Sequence, residues 1–180
     1  MRSLDEQPRA GERWGTALAS LGSTARGSFA RSGMPTVERP ALVVLDASIA
    51  VRWVVPERGS EEAAALLGQS LAWLAPRLLV TEVASALRRK VSGGEISGHV
   101  ASHALGTIVD AIDDGVIQLA EDEHILASAL TLAITLDRKL PDCLYLALAE
   151  REGAALATAD RGLSLMARNR GVRVLAIPSA

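Results

Sequence analysis

Short apolar runs separated by helical segments constrain the fold of this chain most strongly. Ala41–Leu45 is a β-branched and aliphatic run of the kind that forms a buried strand, and Ala154–Thr158 is a second one. Two further runs, Val116–Leu119 and Val172–Ile177, are also predicted strands, and helical segments lie between all four. Strands separated by helices favour a parallel sheet. We therefore predict a three-layer α/β/α domain with a central parallel sheet of about four to five strands.

The helical segments are bounded by recognisable start and stop residues. Ser60 followed by Glu61 and Glu62 is a good helix start, and we predict that this helix continues to about Leu74, ahead of Pro76. The other predicted helices are Ser48–Val55, Arg77–Ser92, His99–Ile112, Glu123–Asp137, Asp142–Arg151 and Leu163–Arg168. The predicted order is a strand, four helices, a strand, two helices, a strand, a helix and a strand.

The first 39 residues differ from the rest of the chain. They are rich in Gly, Ser, Arg and Pro and show no sustained hydrophobic period. We interpret residues 1–39 as a flexible N-terminal extension, or as the result of a start assigned upstream of Met34, and residues 40–180 as one domain. A short docking helix over Trp14–Leu21 is the alternative for the extension.

Composition and charge limit the classes of function. With 49% hydrophobic and 22% charged residues, the chain fits a soluble globular protein rather than a disordered one. Its longest uncharged stretches are too short to span a membrane, and the single cysteine, Cys143, excludes an intrachain disulfide. We expect a cytoplasmic protein. The net charge of −2 does not favour nucleic-acid binding, so such a role would depend on local patches and on a metal.

Four acidic residues stand where an apolar run ends or a helix begins. Asp46 directly follows the predicted strand Ala41–Leu45, Asp160 follows a later apolar run, and Glu82 and Asp142 fall at or near predicted helix starts. Parallel sheets place their sites at the carboxyl ends of strands. Converging carboxylates repel by about 4 kcal/mol per pair at ~4 Å with an effective dielectric near 20. A divalent cation removes that repulsion, so the acids predict a site for Mg²⁺ or Mn²⁺.

Each acid also has a purely structural explanation. Glu82 and Asp142 would gain roughly 0.3–1 kcal/mol from the helix dipole at a helix start. Asp160, which precedes the last predicted helix, is suited to cap that helix or to close an Asx turn. Asp46 is harder to explain in this way, because it ends a buried strand, where an isolated charge is costly.

Four segments, each built around one of these acids, follow one another along the chain. They are Val-Val-Leu-Asp46-Ala-Ser48-Ile-Ala-Val-Arg-Trp53, Ala-Pro76-Arg-Leu-Leu-Val-Thr-Glu82-Val-Ala-Ser-Ala-Leu-Arg-Arg, Leu-Pro-Asp142-Cys-Leu-Tyr145-Leu-Ala-Leu-Ala-Glu and Ala-Leu-Ala-Thr158-Ala-Asp160-Arg-Gly-Leu. This ordered set resembles the PIN-domain ribonucleases, in particular the VapC-type toxins of toxin–antitoxin pairs. The resemblance extends from about Ala41 to Ile177, which is nearly everything after the extension.

The resemblance implies a metal-dependent endoribonuclease that is the toxin of a type II toxin–antitoxin pair, with residues 40–180 as its PIN domain. Its catalytic acids would be Asp46, Glu82, Asp142 and Asp160. Asp46 and Asp142 would coordinate Mg²⁺ or Mn²⁺ directly, Asp160 directly or through water, and Glu82 would coordinate or act as a base. The implied partners are RNA, a cognate antitoxin and a second copy of the chain in a homodimer.

Two hydroxyl groups and one arginine complete the expected site. Ser48 and Thr158 are expected to hold the carboxylates in position, with a helix cap and a strand-end hydrogen bond as the structural alternatives. Arg161, next to Asp160, is a better candidate for contacting a phosphate than the cluster Arg88–Lys90. The cluster Arg88–Lys90 also fits favourable charge at a helix end.

Two other classes of function stay open. A catalytically silent PIN-like module that binds RNA or protein is the first, and four intact acids argue against it. A metal-dependent DNase or phosphatase that uses the same carboxylates is the second. A phosphatase with an aspartyl nucleophile would want a second aspartate two positions after Asp46, where Ser48 stands instead.

Overall fold

The computed structural model of the chain describes residues 40–177. The predicted extension, with Met34 and the alternative helix Trp14–Leu21, lies outside the described residues, as do residues 178–180. The five strands are β1 (Ala41–Leu45), β2 (Leu71–Pro76), β3 (Ile117–Ala120), β4 (Ala155–Thr158) and β5 (Val174–Ala176). The helices are α1 (Ala47–Val54), α2 (Ser60–Leu67), α3 (Leu78–Ser92), α4 (Gly98–Asp113), α5 (Leu126–Leu136), α6 (Leu140–Glu152) and α7 (Arg161–Asn169), with a short 3₁₀ turn at Asp122–His124.

The strands form one parallel sheet in the order β3-β2-β1-β4-β5. The chain builds outward from β1 through β2 to β3, and then returns to add β4 and β5 on the other side of β1. The carboxyl ends of β1 and β4 therefore flank the topological switch point, where open parallel sheets bind their ligands. The sheet and its flanking helices confirm the predicted three-layer α/β/α class.

Both faces of the sheet are covered, as the alternating side chains of β1 show. Val43 and Leu45 belong to one hydrophobic core, together with residues of α1 to α4, whereas Val44 belongs to a second core with residues of α5 to α7. Successive residues of a strand point to opposite faces, so a strand covered on both sides must be apolar throughout. This explains why β1 has no polar residue before Asp46.

One predicted helix end is wrong. The helix that starts at Ser60 ends at Leu67 rather than near Leu74, and Leu71–Pro76 forms β2, a strand that the sequence pattern did not indicate. Within β2, Trp73 pairs with Val43 of β1 on one side and with Ile117 of β3 on the other. The segment contains no β-branched residue, so pairing on both sides, rather than local preference, determines its conformation.

The remaining predicted helices and strands are present at nearly the predicted bounds. None of the helices within residues 40–177 has both the length and the apolar character that a membrane crossing requires.

Candidate functional site

One cleft at the carboxyl ends of β1 and β4 is lined by all four predicted acids. Asp46 directly follows β1 and is buried, while Asp160 lies two residues after the end of β4 and is exposed. Glu82 lies in the second turn of α3 and Asp142 in the first turn of α6, and both are partly buried. The fold thus brings acids from four separate segments into one cleft of ≈ 290 Å³, which we call the acidic cleft.

The carboxylates in the acidic cleft repel one another. Burial raises the pKa of Asp46, and the negative charge of Asp160 raises it further. Burial also raises the pKa of Glu82, to which the charges of Asp46 and Asp142 add. The pKa of Asp142 is raised by burial and then by Asp160. Each acid therefore lies within electrostatic reach of two others, and titratable groups shifted in this way in a cleft indicate a functional site.

Two hydroxyl groups converge on one carboxylate oxygen of Asp46. Thr158 Oγ1 donates a hydrogen bond to Asp46 Oδ2 at 2.7 Å, and Ser48 Oγ donates to the same oxygen. Both hydroxyls also accept a backbone N–H at 3.0 Å, Ser48 from Ala159 and Thr158 from Asp160. These donors favour the ionised form of Asp46, against the effect of burial. The two hydroxyls therefore orient the carboxylate and also fix the turn after β4.

Asp160 is the N-cap residue of α7 as well as a member of the acidic cleft. Its Oδ1 accepts a hydrogen bond from the backbone N–H of Leu163 at 2.7 Å. A Cβ at residue 162 would lie 3.2 Å from that oxygen, so Gly162 leaves room for the carboxylate. The helix-capping alternative for Asp160 is therefore present in the structure, together with its place in the cleft.

Glu82 is held by a side chain that the sequence reasoning did not assign. The hydroxyl of Tyr145 donates to Glu82 Oε2 at 2.6 Å. Burial, and then the charges of Asp46 and Glu82, raise the pKa of Tyr145, which keeps its hydroxyl a donor. Tyr145 lies three residues after Asp142, on the same side of α6. This spacing could have indicated from the sequence that Tyr145 belongs to the site.

The helix-start explanation for Glu82 is wrong, because this residue lies in the second turn of α3. The favourable effect of a helix dipole on an acid falls off within the first turn. Asp142 does lie in the first turn of α6, so the same explanation holds for it.

The buried guanidinium of Arg52 supports one wall of the acidic cleft. Arg52 is only 5% exposed. Its Nη1 donates to the carbonyl oxygen of Ser48 at 2.7 Å, and its Nε donates to the carbonyl oxygen of Arg58 at 3.0 Å. Its charge is paired with Glu57 at 3.3 Å. Arg52 therefore ties the first turn of α1, which carries Ser48, to the loop that follows the same helix. No pattern along the chain indicated this role for Arg52.

Two further basic residues come from the last turn of α3 and line the same wall. Lys90 Nζ lies 2.5 Å from Glu57 and 3.0 Å from Glu95. The charge of Arg89 lowers the pKa of Glu82, against the effect of burial. Lys90 is thus compensated by two acids, whereas Arg89 reaches the acidic cleft electrostatically.

Arg161, the predicted phosphate contact, is the first residue of α7 and is exposed. It lines an adjoining groove that shares Asp160 with the acidic cleft.

The donor atoms of the acidic cleft suit a hard divalent cation. Among residues 40–177, no three acidic, histidine or cysteine side chains are placed closely enough to hold a metal ion together. Mg²⁺ and Mn²⁺ prefer oxygen ligands, and Mg²⁺ usually keeps several waters and binds through one or two carboxylates. The acidic cleft would therefore hold such an ion through one or two of its carboxylates together with waters, and the ion would relieve the repulsion.

Comparison with known proteins identifies the family. The profile of the PIN domain matches residues 43–169, a range that contains all four acids and both hydroxyl residues of the acidic cleft. The chain belongs to the PIN-domain family. PIN domains are generally nucleases, so membership supports a nuclease role at the level of the family. The PIN-domain resemblance of the sequence is confirmed.

Two solved structures show how closely the fold agrees. PAE2754 from Pyrobaculum aerophilum aligns with a TM-score of 0.56 and 22% sequence identity, over 78% of this chain and 93% of that one. VapBC2 from Rickettsia felis, bound to a DNA fragment from their promoter, aligns with a TM-score of 0.52 and 10% identity, over 76% of this chain and 98% of that one. At these identities the likeness establishes the PIN-domain fold. No curated protein gave a significant match.

Proposed function

We propose that this PIN domain is a Mg²⁺- or Mn²⁺-dependent endoribonuclease and the toxin of a type II toxin–antitoxin pair. One observation carries the proposal: Asp46, Glu82, Asp142 and Asp160 line a single cleft at the switch point of the sheet. Burial and mutual repulsion raise the pKa of three of these acids, a state that a divalent cation relieves. Family membership supplies the nuclease class.

Each residue then has a distinct task. Asp46, Asp142 and Asp160 would hold the metal ion, which when bound supplies Lewis acidity toward water and the phosphodiester. Ser48 and Thr158 orient the Asp46 carboxylate and favour its ionised form against the effect of burial. Glu82, held by Tyr145, either coordinates the ion or accepts the proton of the attacking water.

The proposed partners are RNA, a cognate antitoxin and a second copy of the chain in a homodimer, in the cytoplasm. A structural neighbour of this fold is solved as VapBC2 bound to a DNA fragment from their promoter, which supports proposing an antitoxin for this chain. The acidic cleft would attract a basic side chain of the antitoxin, because its lining carries five acidic side chains against three basic ones.

Incubation of the purified protein with a mixed RNA pool tests this proposal. The pool is incubated with Mg²⁺, with Mn²⁺ and with EDTA, alongside a DNA pool of the same sequences. We expect cleavage of RNA in either metal and none in EDTA. RNA or partner binding without cleavage in any metal would instead favour a catalytically silent module, and cutting of the DNA pool alone would favour a DNase.

Loss of the Thr158 hydroxyl should weaken the proposed site without removing a carboxylate. Thr158 is fully buried and its hydroxyl bonds both Asp46 and the backbone of Asp160. Partners of this kind typically change metal affinity or activity about 10–100-fold when removed. We expect Thr158→Val to lower kcat/KM by that factor and Thr158→Ser to retain most activity. Full activity in Thr158→Val would mean that the hydroxyl of Thr158 serves only as a structural hydrogen bond at the end of β4.

A further inference from the structure

A groove lined by three arginines adjoins the acidic cleft, and we call it the arginine groove. Arg58 comes from the loop after α1, Arg161 from the first turn of α7 and Arg168 from its last turn. The groove measures ≈ 490 Å³, and Asp160, its one acidic lining residue, also belongs to the acidic cleft. Three positive charges against one negative charge make this a basic surface in a chain whose net charge is −2.

Two of the three basic residues in the lining of the acidic cleft are already compensated by acids. Arg52 is buried and paired with Glu57, and Lys90 is paired with both Glu57 and Glu95. In the arginine groove, by contrast, Arg58 and Arg168 are exposed, and within residues 40–177 neither side chain takes part in an ion pair. Within residues 40–177, Arg89 is the one basic residue in the lining of the acidic cleft without an ion pair. The arginine groove therefore offers a polyanion two such cations, against one at the end of α3.

We propose that the arginine groove holds the backbone phosphates of the RNA strand on one side of the scissile bond. The strand would leave the acidic cleft past Asp160 and continue along α7. This inference rests on the proposed nuclease function and adds the path of its substrate. Guanidinium groups suit the role, because their planar donors match the oxygens of a phosphate.

The lining of the arginine groove also indicates what is recognised there. Among residues 40–177, the uncharged side chains that line it are hydroxyl or aliphatic, and none is an aromatic ring on which a base would stack. Contacts to phosphates position a nucleic acid and carry no direct sequence information. The groove would therefore position RNA through its phosphates, whatever the base sequence.

The test compares Arg58→Gln and Arg168→Gln with Arg173→Gln as a matched control. Arg173 is also exposed but lines a groove near the amino ends of β1 and β4, so this change removes the same charge away from the proposed path. The substrates are a 12-nucleotide single-stranded RNA and a dinucleotide with one phosphodiester. Steady-state cleavage in Mn²⁺ is measured over a range of NaCl concentrations, and melting temperatures verify folding.

For the 12-nucleotide RNA, each groove variant should raise KM about 5- to 10-fold with kcat unchanged. The slope of log(kcat/KM) against log[NaCl] should become shallower by about 0.7, the value for one phosphate contact to a single strand. The dinucleotide should be cleaved equally by all variants. Groove variants that behave like Arg173→Gln, or that lose kcat on the dinucleotide, would overturn the groove assignment and leave the nuclease proposal standing. Wild-type protein that neither binds nor cleaves RNA would overturn both.

Discussion

Replacement of Asp46 by Asn should reduce RNA cleavage by about 10³-fold or more while the protein stays folded. Asp46 is the most buried of the four acids and receives both hydroxyl donors, so it is the most firmly oriented carboxylate in the acidic cleft. Asn keeps the shape of the side chain but removes the negative charge that would bind the metal. Loss of several kcal/mol of transition-state stabilisation from the ion corresponds to a change of this size.

The measurement is single-turnover cleavage of RNA in Mn²⁺ by Asp46→Asn and by Asp110→Asn. Asp110 is an exposed residue of α4 that does not line the acidic cleft, so the control makes the same chemical change away from the site. Circular dichroism verifies that both variants are folded. Cleavage by Asp46→Asn at the wild-type rate would mean that this carboxylate has no role in the reaction.

The metal-free protein should become more stable as the pH falls from 8 toward the ordinary carboxyl pKa of about 4. Burial raises the folded-state pKa of Asp46, Glu82 and Asp142 above the values of the unfolded chain. Protonation of these groups therefore occurs more readily in the folded protein. The stability that they contribute is complete below the unfolded pKa and is lost as the pH rises through the raised pKa.

Thermal unfolding in EDTA at several pH values measures this effect. The slope is at most about 1.4 kcal/mol per pH unit for each proton taken up. At neutral pH, Asp46→Asn should melt above the wild type, by about 2–8 °C for each kcal/mol gained, and the difference should close at low pH. Mn²⁺ should raise the melting temperature of the wild type at pH 8. A metal-free stability that does not rise anywhere as the pH falls from 8 to about 4 would contradict the raised pKa of these acids.

The strands and helices that could be predicted are those whose sequence shows a clear local pattern and clear ends. β1 and β4 are apolar runs with clear ends, and Gly153 lies just beyond α6 as the expected stop. The prediction failed for β2. Leu71–Pro76 continues an alanine- and leucine-rich segment and becomes a strand only by pairing with β1 and β3. Pairing of this kind depends on residues far apart in the chain, which no local window contains.

In the candidate site, likewise, some residues could be predicted from the sequence and some contacts could not. The four acids could be selected because strand ends, helix starts and the order of their segments are visible along the chain. The contact between Tyr145 and Glu82 joins residues 63 positions apart. The arginine groove likewise gathers Arg58 and Arg168 from opposite halves of the domain. These pairs are set by helix packing, so the sequence offered only residue types and not their proximity.

Binding of Mn²⁺ to the acidic cleft tests the central claim most directly. Electron paramagnetic resonance of free Mn²⁺ during titration with wild-type protein, Asp46→Asn and Asp110→Asn gives the number and affinity of the bound ions without any need for RNA. We expect the wild type and Asp110→Asn to bind one or two ions, and binding to be weakened at least about 10-fold in Asp46→Asn. Equal binding by all three proteins, or no binding by the wild type, would contradict it.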